Sequence, residues 1–363
     1  MPINTLNQLY AAKRDTPEIL AAARTMLMIP DLFHYWLAGT AVCEFTAAST
    51  TQFASAKKRT WATGLLDRLG LPADLPAQIV ESGSCLGRLL PEFSNSQSRH
   101  AQVIAPATHD TASAVAAICA TGNTVFLSSG TWSLLGIELD APIVSDRAMQ
   151  LNFTNEGGIA GTTRLLKNVM GLWMLQGCRK SWNAKGRNFS YKDLMEAARP
   201  ARPFQHLVDP DDTSFLNPDD MLIAIDGFCQ RTDQPIPDCP GAYARAILES
   251  LSFKFGLVIR GLESLIGHRI ERIRVIGGGS KNNLLNQFTA DATGKQVIAG
   301  PSEAAVLGNI GAQLVATGAA ASIGEVRTLI DRSFRSETFD PKDTDVWSRH
   351  AGRFQQYCEF SYV

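Results

Sequence analysis

The chain has 363 residues, of which 45% are hydrophobic and 19% are charged, a balance typical of a globular protein with a sizeable core. Its 34 lysines and arginines against 35 acidic residues give a formal net charge of -1, which excludes the basic excess expected for a nucleic-acid or anionic-membrane partner. No apolar run is long enough to span a bilayer and Met1-Pro2-Ile3-Asn4-Thr5 lacks a secretory pattern, so a cytoplasmic location is expected.

Disulfide and metal-binding patterns are absent from the sequence. The seven cysteines are scattered without a C-x-x-C pair, and the six histidines show no H-E-x-x-H spacing. Free, partly buried thiols are therefore expected, and no residue is assigned as a metal ligand. By length, the chain predicts two domains or one large domain with additions.

The first hundred residues are predicted to form helices and turns. Thr16-Pro17-Glu18 combines an N-cap residue, a proline at the first helical position and an acid in the first turn, and this helix is expected to reach Met28. A second helix is predicted to start at Asp31 and to end at Gly39 in a left-handed cap.

The middle of the chain changes to β character. The polar run 94–99 predicts a loop and a candidate domain boundary before a short strand at 103–105. Strands over 124–127 and 132–137 flank Ser128-Ser129-Gly130-Thr131, a sequence that predicts a tight hairpin turn.

Helical patterns follow this hairpin. A helix is predicted from Arg164 to about Arg179, with one stripe that contains Leu165, Val169, Leu172 and Gln176. Residues 199–240 are rich in proline and aspartate and predict loops. A long helix is predicted from Gly241 towards Leu265, and Gly267 is expected to end it.

The last third predicts alternating strands and helices, which favours an α/β layer with a partly parallel sheet. The predicted order is a strand at 274–276, a glycine turn at 277–279, a helix from Asn282 to Gly294, a strand at 296–299, and a helix capped by Ser302 that closes at Gly318.

Three short motifs each allow two interpretations. Gly277-Gly278-Gly279 lets a backbone approach a nucleotide, but a plain tight connection is the commoner use, and it matches neither the Rossmann nor the Walker pattern. Ser128-Ser129-Gly130-Thr131 suits either a phosphate cup or a simple β-turn. Asp110 after a strand suits either a general base or, as the local pattern favours, a helix N-cap.

Taken in order, these motifs resemble those of the FGGY carbohydrate kinases. The segments that carry the resemblance are Ala107 to Val115, Leu127 to Ser133 and Gly277 to Asn282. Four further segments resemble the rhamnulokinase branch of the family: 153–158, 165–173, 297–301 and 307–311. The fuculokinases are the nearest competitor, since they share the His-Asp-Thr and Ser-Gly-Thr-Trp motifs.

The resemblance implies an α/β, actin-like (ribonuclease H-like) ATPase fold with two α/β domains around a cleft. Residues 1–111 would be the C-terminal part of the first, sugar-side domain, residues 112–320 the nucleotide-binding domain, and residues 321–363 a C-terminal helical segment. Family members open with a phosphate-binding hairpin, which has no counterpart between Met1 and Thr50. The first domain is therefore expected to be incomplete, as in an N-terminally truncated chain.

The resemblance also implies phosphate transfer from ATP, with Mg²⁺, to the 1-hydroxyl of L-rhamnulose. Asp110 matches the proton acceptor, the sugar-contacting positions are His109, Thr111 and Asn168, and the ATP-contacting positions are Thr131, Gln176 and Gly278. Asn168 and Gln176 are expected on one helix, about 12 Å apart. A kinase for L-fuculose and an inert, nucleotide-binding remnant are the alternatives. The sugar and ATP are the expected partners, without nucleic acid or membrane.

Overall fold

Short helices and small two-stranded sheets form the N-terminal part of the protein. The computed structural model describes residues 3–358. The elements of this part are α1 (Thr5–Asp15), α2 (Pro17–Ala22), α3 (Ile29–Ala38), β1 (Cys43–Glu44), α4 (Phe45–Ala48), β2 (Ala54–Ser55), β3 (Thr60–Trp61), α5 (Thr63–Leu69), β4 (Ile79–Val80), β5 (Ser84–Arg88) and β6 (Gln102–Ala105). β1 pairs in parallel with β4, whereas the pairs β2–β3 and β5–β6 are antiparallel.

One large mixed sheet with helices on both faces organises the rest of the chain. Its elements are α6 (Asp110–Ala116), β7 (Thr124–Ser129), β8 (Trp132–Leu139), α7 (Asp146–Gln150), β9 (Thr154–Gly157), β10 (Thr163–Met170), α8 (Trp173–Ala184), α9 (Tyr191–Ala198), α10 (Met221–Arg231), α11 (Pro240–Ile266), β11 (Arg272–Ile276), α12 (Asn283–Thr293), β12 (Gln296–Ala299), α13 (Ala304–Ala316), α14 (Ile323–Ser333), β13 (Glu337–Phe339) and α15 (Thr344–Gln356).

The strand order explains why this sheet is mixed. Within residues 3–358 the order is β13-β12-β11-β7-β8-β10-β9. β7, β11 and β12 run parallel, as expected for strands joined through helices, and β8, β9, β10 and β13 pair antiparallel to their neighbours. The predicted α/β layer with a partly parallel sheet is therefore confirmed.

The sheet separates two apolar layers, because successive side chains of a strand point to opposite faces. On β7, Val125 and Leu127 pack into the larger layer with α8 to α12 and α15, whereas Phe126 packs into the smaller layer with α6, α13 and α14. All three side chains are buried. Burial on both faces makes the sheet a rigid support for the loops at its edges.

Helix ends are the best predicted features. Gly39, Gly267 and Gly294 each follow a helix with φ of 73°, 76° and 64°, in the left-handed region that favours glycine. The Asn282 side chain accepts the Leu285 amide at 3.1 Å and so caps α12. Strand β12 covers Gln296–Ala299 as predicted.

The helix predicted from Arg164 to Arg179 is wrong in its first half. Residues Thr163–Met170 form strand β10 between β8 and β9, and helix α8 begins only at Trp173. A spacing of four residues places Leu165 and Val169 on the same side of a strand as well as of a helix, so it did not discriminate between them. Asn168 and Gln176 consequently lie on a strand and a helix, not on one helix.

Three smaller expectations also differ from the structure. Helix α2 ends at Ala22, and Met26 pairs with the segment at Leu75, its amide donating to the Leu75 carbonyl at 2.7 Å. Helix α13 starts after Glu303 and not at a Ser302 cap. The region 199–240 contains helix α10, whose N-cap Asp220 accepts the Leu222 amide at 2.8 Å.

Residues 321–358 return to the large sheet. Beyond residue 320 the chain forms α14, the edge strand β13 and α15, and Trp347 and Phe354 of α15 enter the larger apolar layer. Among the helices of residues 3–358, none combines the length and the apolar character needed to cross a membrane.

Helix α6, which opens with Asp110, is held against α13 by an unusually close contact. A Cβ on Gly308 would fall on the carbonyl oxygen of Ser113, well inside van der Waals contact, and close to the Ala116 side chain. Only a glycine at this crossing lets the two helices approach so closely.

We expect Gly308→Ala to destabilise the protein by about 1–3 kcal/mol, because the added methyl group must push α6 away from α13. Urea unfolding measures the effect. Gly352→Ala is the matched control: Gly352 is also helical but has no atom within 4 Å of its Cβ position, so this variant should gain about 0.5–1 kcal/mol. Equal stabilities of the two variants would contradict the close helix contact.

Candidate active site

Two loops meet at the edge of the sheet where β7 and β11 end. Because the two strands are parallel neighbours, with Ser128 opposite Ile276, their carboxyl ends lie side by side. The Gly130-Thr131 turn after β7 therefore lies beside the glycine turn after β11. This edge is where ligands bind in open α/β sheets.

The three glycines after β11 have three different reasons to be glycine. Gly277 has a φ of 81°, in the left-handed region. A Cβ on Gly279 would overlap the Ser129 side chain on the adjacent strand. Gly278 has neither constraint: its φ is not left-handed and no protein atom lies within 4 Å of its Cβ position. The protein leaves open space above Gly278, as a bound ligand would require.

The β7–β8 turn is tied to the start of helix α8. The Thr131 carbonyl accepts the amides of Gly171 at 3.2 Å and Trp173 at 3.0 Å. The Gln176 amide nitrogen lies 3.2 Å from Thr131 Oγ1, which joins two residues predicted to contact ATP. The hairpin turn and α8 thus form one wall of the cleft.

Asp110 is the first residue of α6, and its carboxylate is 87% exposed. The N-cap interpretation of Asp110 is wrong, because His109 occupies the cap position and the Asp110 carboxylate accepts the amide of Thr111, the next residue, at 2.5 Å. An N-cap side chain would accept an amide two or three residues further on. The exposed carboxylate remains open to a ligand in the cleft.

A buried carboxylate, Glu44, fixes the segment that precedes Asp110. Glu44 Oε2 accepts the amide and the hydroxyl of Thr108 at 3.0 and 2.7 Å, and the same two groups of Thr46 at 3.0 and 2.5 Å. Its Oε1 accepts the Ser82 hydroxyl at 2.6 Å. The His109 amide in turn donates to Thr46 Oγ1 at 3.1 Å. Glu44 therefore joins the N-terminal part to the loop that carries His109 and Asp110.

His109 lies among charged side chains below the cleft. Its Nδ1 is 3.6 Å from Asp110 Oδ1. Burial, followed by the positive charge of Arg164, lowers the pKa of His109 below its usual value. The imidazole is therefore neutral at pH 7 and offers one donor and one acceptor nitrogen.

All seven residues predicted from the sequence line two adjoining cavities. The first cavity has a volume of about 680 Å³ and is lined by His109, Asp110, Thr111 and Asn168 among others, and the second, of about 750 Å³, is lined by Gln176 and the start of α12. Thr131 and Gly278 line both cavities. The predicted sugar-contacting residues thus line the first cavity and Gln176 the second, and Thr131 and Gly278 form the wall that the two cavities share.

Several residues of this site were not predicted. Glu44, Glu156 and Arg164 carry the charges around His109, and Asn4 and Gln8 line the first cavity from the N-terminal part. No spacing rule identifies them, because their positions depend on pairing between distant segments. The only local signal is a charged residue, Glu44, within an otherwise apolar and small-residue stretch.

Sequence comparison identifies the family. The sequence profile of the FGGY family of carbohydrate kinases matches twice, with the N-terminal domain over residues 1–119 and the C-terminal domain over residues 125–317. Rhamnulokinase from Bacteroides thetaiotaomicron is 43% identical over 349 residues, which are 96% of this chain and 71% of that protein. Rhamnulokinase from Halalkalibacterium halodurans is 40% identical over 94% of this chain and 72% of that protein. The chain belongs to the FGGY family of carbohydrate kinases.

This membership makes the chain a phosphotransferase of the sugar kinase class, whose members use ATP. The xylulose kinase from Lactobacillus acidophilus, solved with a ligand, aligns with a TM-score of 0.75 at 15% identity, over 98% of this chain and 71% of that one. At this identity the likeness concerns the fold, which is the actin-like ATPase fold expected from the sequence. The division at residues 111/112 and the separate segment 321–363 remain predictions.

The glycine turn yields a test of the open space above Gly278. Gly278→Ala should fold as well as the wild type, because no protein atom lies within 4 Å of the new methyl group. Its affinity for ADP should fall at least tenfold, because the methyl group occupies the open space in which ADP is expected to bind. Calorimetric titration with ADP and a thermal melt measure the two effects.

Gly279→Ala is the matched control, because its methyl group meets Ser129 and should lower the stability by about 1–3 kcal/mol. Unchanged ADP affinity in Gly278→Ala would remove this position from the ligand-binding wall.

Glu44 yields a test of how the loop before Asp110 is held. Glu44→Ala should destabilise the protein by about 3–5 kcal/mol, because it leaves the donors of buried Thr46 and of half-buried Thr108 without an acceptor. Urea unfolding measures the loss. Glu81→Ala, which removes a half-exposed carboxylate paired with Arg59, should cost no more than about 1 kcal/mol. Similar losses in both variants would contradict the central role of Glu44.

Proposed function

We propose that the chain transfers the γ-phosphoryl group of ATP to the 1-hydroxyl of L-rhamnulose, with Asp110 as the general base. The observation that carries the proposal is the meeting of two cavities at Thr131 and Gly278. One cavity contains an exposed carboxylate and polar side chains suited to a sugar, and the other is lined by apolar, amide and mostly basic charged side chains suited to a nucleotide. Phosphoryl transfer needs such adjacent sites, because its catalysis consists mostly of positioning and charge stabilisation.

The first cavity offers the groups that a sugar requires. Asp110 is an acceptor, Thr111 and Asn168 both donate and accept, and neutral His109 can do either. The choice of L-rhamnulose is supported by the similarity to rhamnulokinases at about 40% identity. L-fuculose, the C4 epimer of L-rhamnulose, is the competing substrate.

In the proposed reaction the oxygen of the sugar 1-hydroxyl attacks the γ-phosphorus of ATP, and Asp110 accepts the proton of that hydroxyl. The bond between the γ-phosphorus and the β,γ-bridging oxygen breaks, and ADP leaves with that oxygen. Asp110 is suited to this role because its carboxylate is exposed to the cavity while its backbone is fixed through Thr108 and Glu44. A base on a rigid support keeps its distance to the substrate oxygen.

The second cavity offers a nucleotide-binding wall. Thr131 and Gln176 provide hydroxyl and amide groups, and the turn that starts at Gly278 lets the phosphates approach the backbone. Leu175, Met195 and Leu284 line the same cavity and supply an apolar surface for a base.

Magnesium belongs to the substrate in this proposal. Among residues 3–358 no group of three or more His, Cys, Asp and Glu side chains is arranged to hold a metal ion. Mg²⁺ commonly binds through substrate phosphates and few carboxylates, so it is expected to arrive with ATP. Asp110 and Thr131 both line the first cavity and offer carboxylate and hydroxyl oxygens to such a complex.

Asp110→Asn tests the proposal directly. The variant keeps the size of the side chain but loses the proton acceptor, so kcat with L-rhamnulose and Mg-ATP should fall by about 10²–10⁴-fold, with an unchanged melting temperature and ADP affinity. A coupled assay for ADP release measures the rate.

Asp146→Asn is the matched control, because Asp146 is also an exposed first residue of a short helix, α7, and its replacement should leave the rate unchanged. Asp110→Asn activity within a few-fold of the wild type would refute the base. Wild-type protein that binds ADP but turns over neither L-rhamnulose nor L-fuculose would favour a nucleotide-binding function without transfer.

A further inference from the structure

We infer that Glu156 is a sugar-binding residue, whose carboxylate is held by Arg164 so that one oxygen accepts a hydroxyl group of the substrate. This inference rests on the proposed function, since it concerns how the same cavity recognises its sugar. It adds a carboxylate to the recognition set, which otherwise contains a base and neutral polar groups.

The position of Glu156 places it between the proposed sugar contacts. It lines the first cavity together with Asp110 and Asn168, and it also lines an adjoining cavity of about 530 Å³ that continues the cleft past Asn168. Its side chain is only 9% exposed. A ligand that fills the first cavity would therefore meet this carboxylate at the cavity wall and not in bulk water.

The backbone of Glu156 is fixed on both sides. On strand β9 it lies directly opposite Arg164 of β10. The next amide, that of Gly157, donates to the Ser49 hydroxyl at 2.8 Å and so ties this edge strand to the N-terminal part. The carboxylate thus has a defined place relative to Asp110, whose own loop is fastened to the same N-terminal part through Glu44.

Arg164 binds one oxygen of the Glu156 carboxylate, Oε2, and the other oxygen is available to a ligand in the cavity. Its guanidinium is fully buried, with Nη2 3.1 Å from Glu156 Oε2 and Nε donating to the Gly157 carbonyl at 2.9 Å. Within residues 3–358 no hydrogen bond to Glu156 Oε1 occurs. Burying an ion pair costs desolvation that the pairing seldom repays, so stability alone does not account for this pair.

The chemistry of a carboxylate suits a sugar hydroxyl. An ionised carboxylate only accepts hydrogen bonds, and its bonds to hydroxyl donors are stronger than those of neutral acceptors. Among residues 3–358, Glu156 forms an ion pair with Arg164 alone, at Oε2, so no second cation lies beside its other oxygen. A hydroxyl donor from the substrate is then the natural partner of the free oxygen.

Glu138 provides a matched comparison on the same sheet. It is also buried and paired with an arginine, Arg327, at 2.7 Å. Both of its oxygens are used within the protein, since Oε1 accepts the Thr162 hydroxyl at 2.9 Å. It lines none of the three cavities around the cleft. Glu138 lies opposite Arg164 on the other side of β10, so its replacement removes a buried carboxylate near the same arginine but leaves every cavity-lining side chain in place.

The experiment titrates the 363-residue chain with L-rhamnulose, with L-fuculose and separately with ADP by calorimetry, for wild type, Glu156→Gln and Glu138→Gln. Glu156→Gln should raise the Kd of the sugar by about 10- to 150-fold, the loss expected for one hydrogen bond to a charged group, and leave the ADP affinity unchanged. In a rate assay the loss should appear in KM more than in kcat, because the contact is made by bound substrate and transition state alike. Glu138→Gln should bind both ligands as the wild type does.

Glu156→Asp keeps the negative charge beside Arg164 but shortens the side chain by one methylene group, so its sugar affinity should fall by about tenfold. This variant tests the inference even if Glu156→Gln does not fold. Wild-type protein that binds a sugar with the same affinity as its Glu156 variants would overturn the inference and leave the proposed function intact. Equal losses of sugar affinity in the Glu156 and Glu138 variants would also overturn it, as a purely structural effect. Binding of neither sugar to the wild type would overturn both proposals.

Discussion

The cleft depends on a single buried carboxylate that is shared between distant parts of the chain. Glu44 accepts hydrogen bonds from Thr46 beside it and from Thr108, 64 residues further along. A buried, charged acceptor with this many donors stabilises the fold only when each of them stays in place, since every donor left alone would lose its solvation without compensation. The relative position of the N-terminal part and helix α6 is therefore fixed by hydrogen bonds to Glu44, whereas the N-terminal part itself is packed through three small apolar clusters.

The other side of the cleft depends on strand direction. Parallel pairing of β7 and β11 brings the hairpin turn and the glycine turn to one edge, and the contact between Ser129 and Gly279 keeps them close. Helix α6 is fixed against this sheet at both ends, by the loop at Thr108 and by Arg327, whose Nε donates to the Ala116 carbonyl at 3.2 Å. Asp110 consequently keeps its place relative to Thr131 and Gly278, which line the same cavity.

Local rules predicted the features that are encoded locally. Glycine helix ends at Gly39 and Gly267, the hairpin and strand β12 follow from residue types within a few positions. Strand β10 was not predicted, because the spacing of Leu165 and Val169 fits both the helical and the strand periodicity. The family motifs placed all seven candidate residues in the cleft, but Glu156 and Arg164 were missed, since their pairing is a property of strand register and not of spacing along the chain.

The wall shared by the two cavities has a kinetic consequence. Thr131 and Gly278 lie on two adjacent turns and line both cavities, so a phosphoryl group bound between them borders the sugar side and the nucleotide side at once. Under the proposed reaction that group belongs to ATP before transfer and to the sugar phosphate afterwards. The sugar phosphate and ATP therefore exclude each other, although most of each molecule lies in a different cavity. Product should accordingly compete with both substrates, so that an accumulating sugar phosphate slows its own formation without any separate regulatory site.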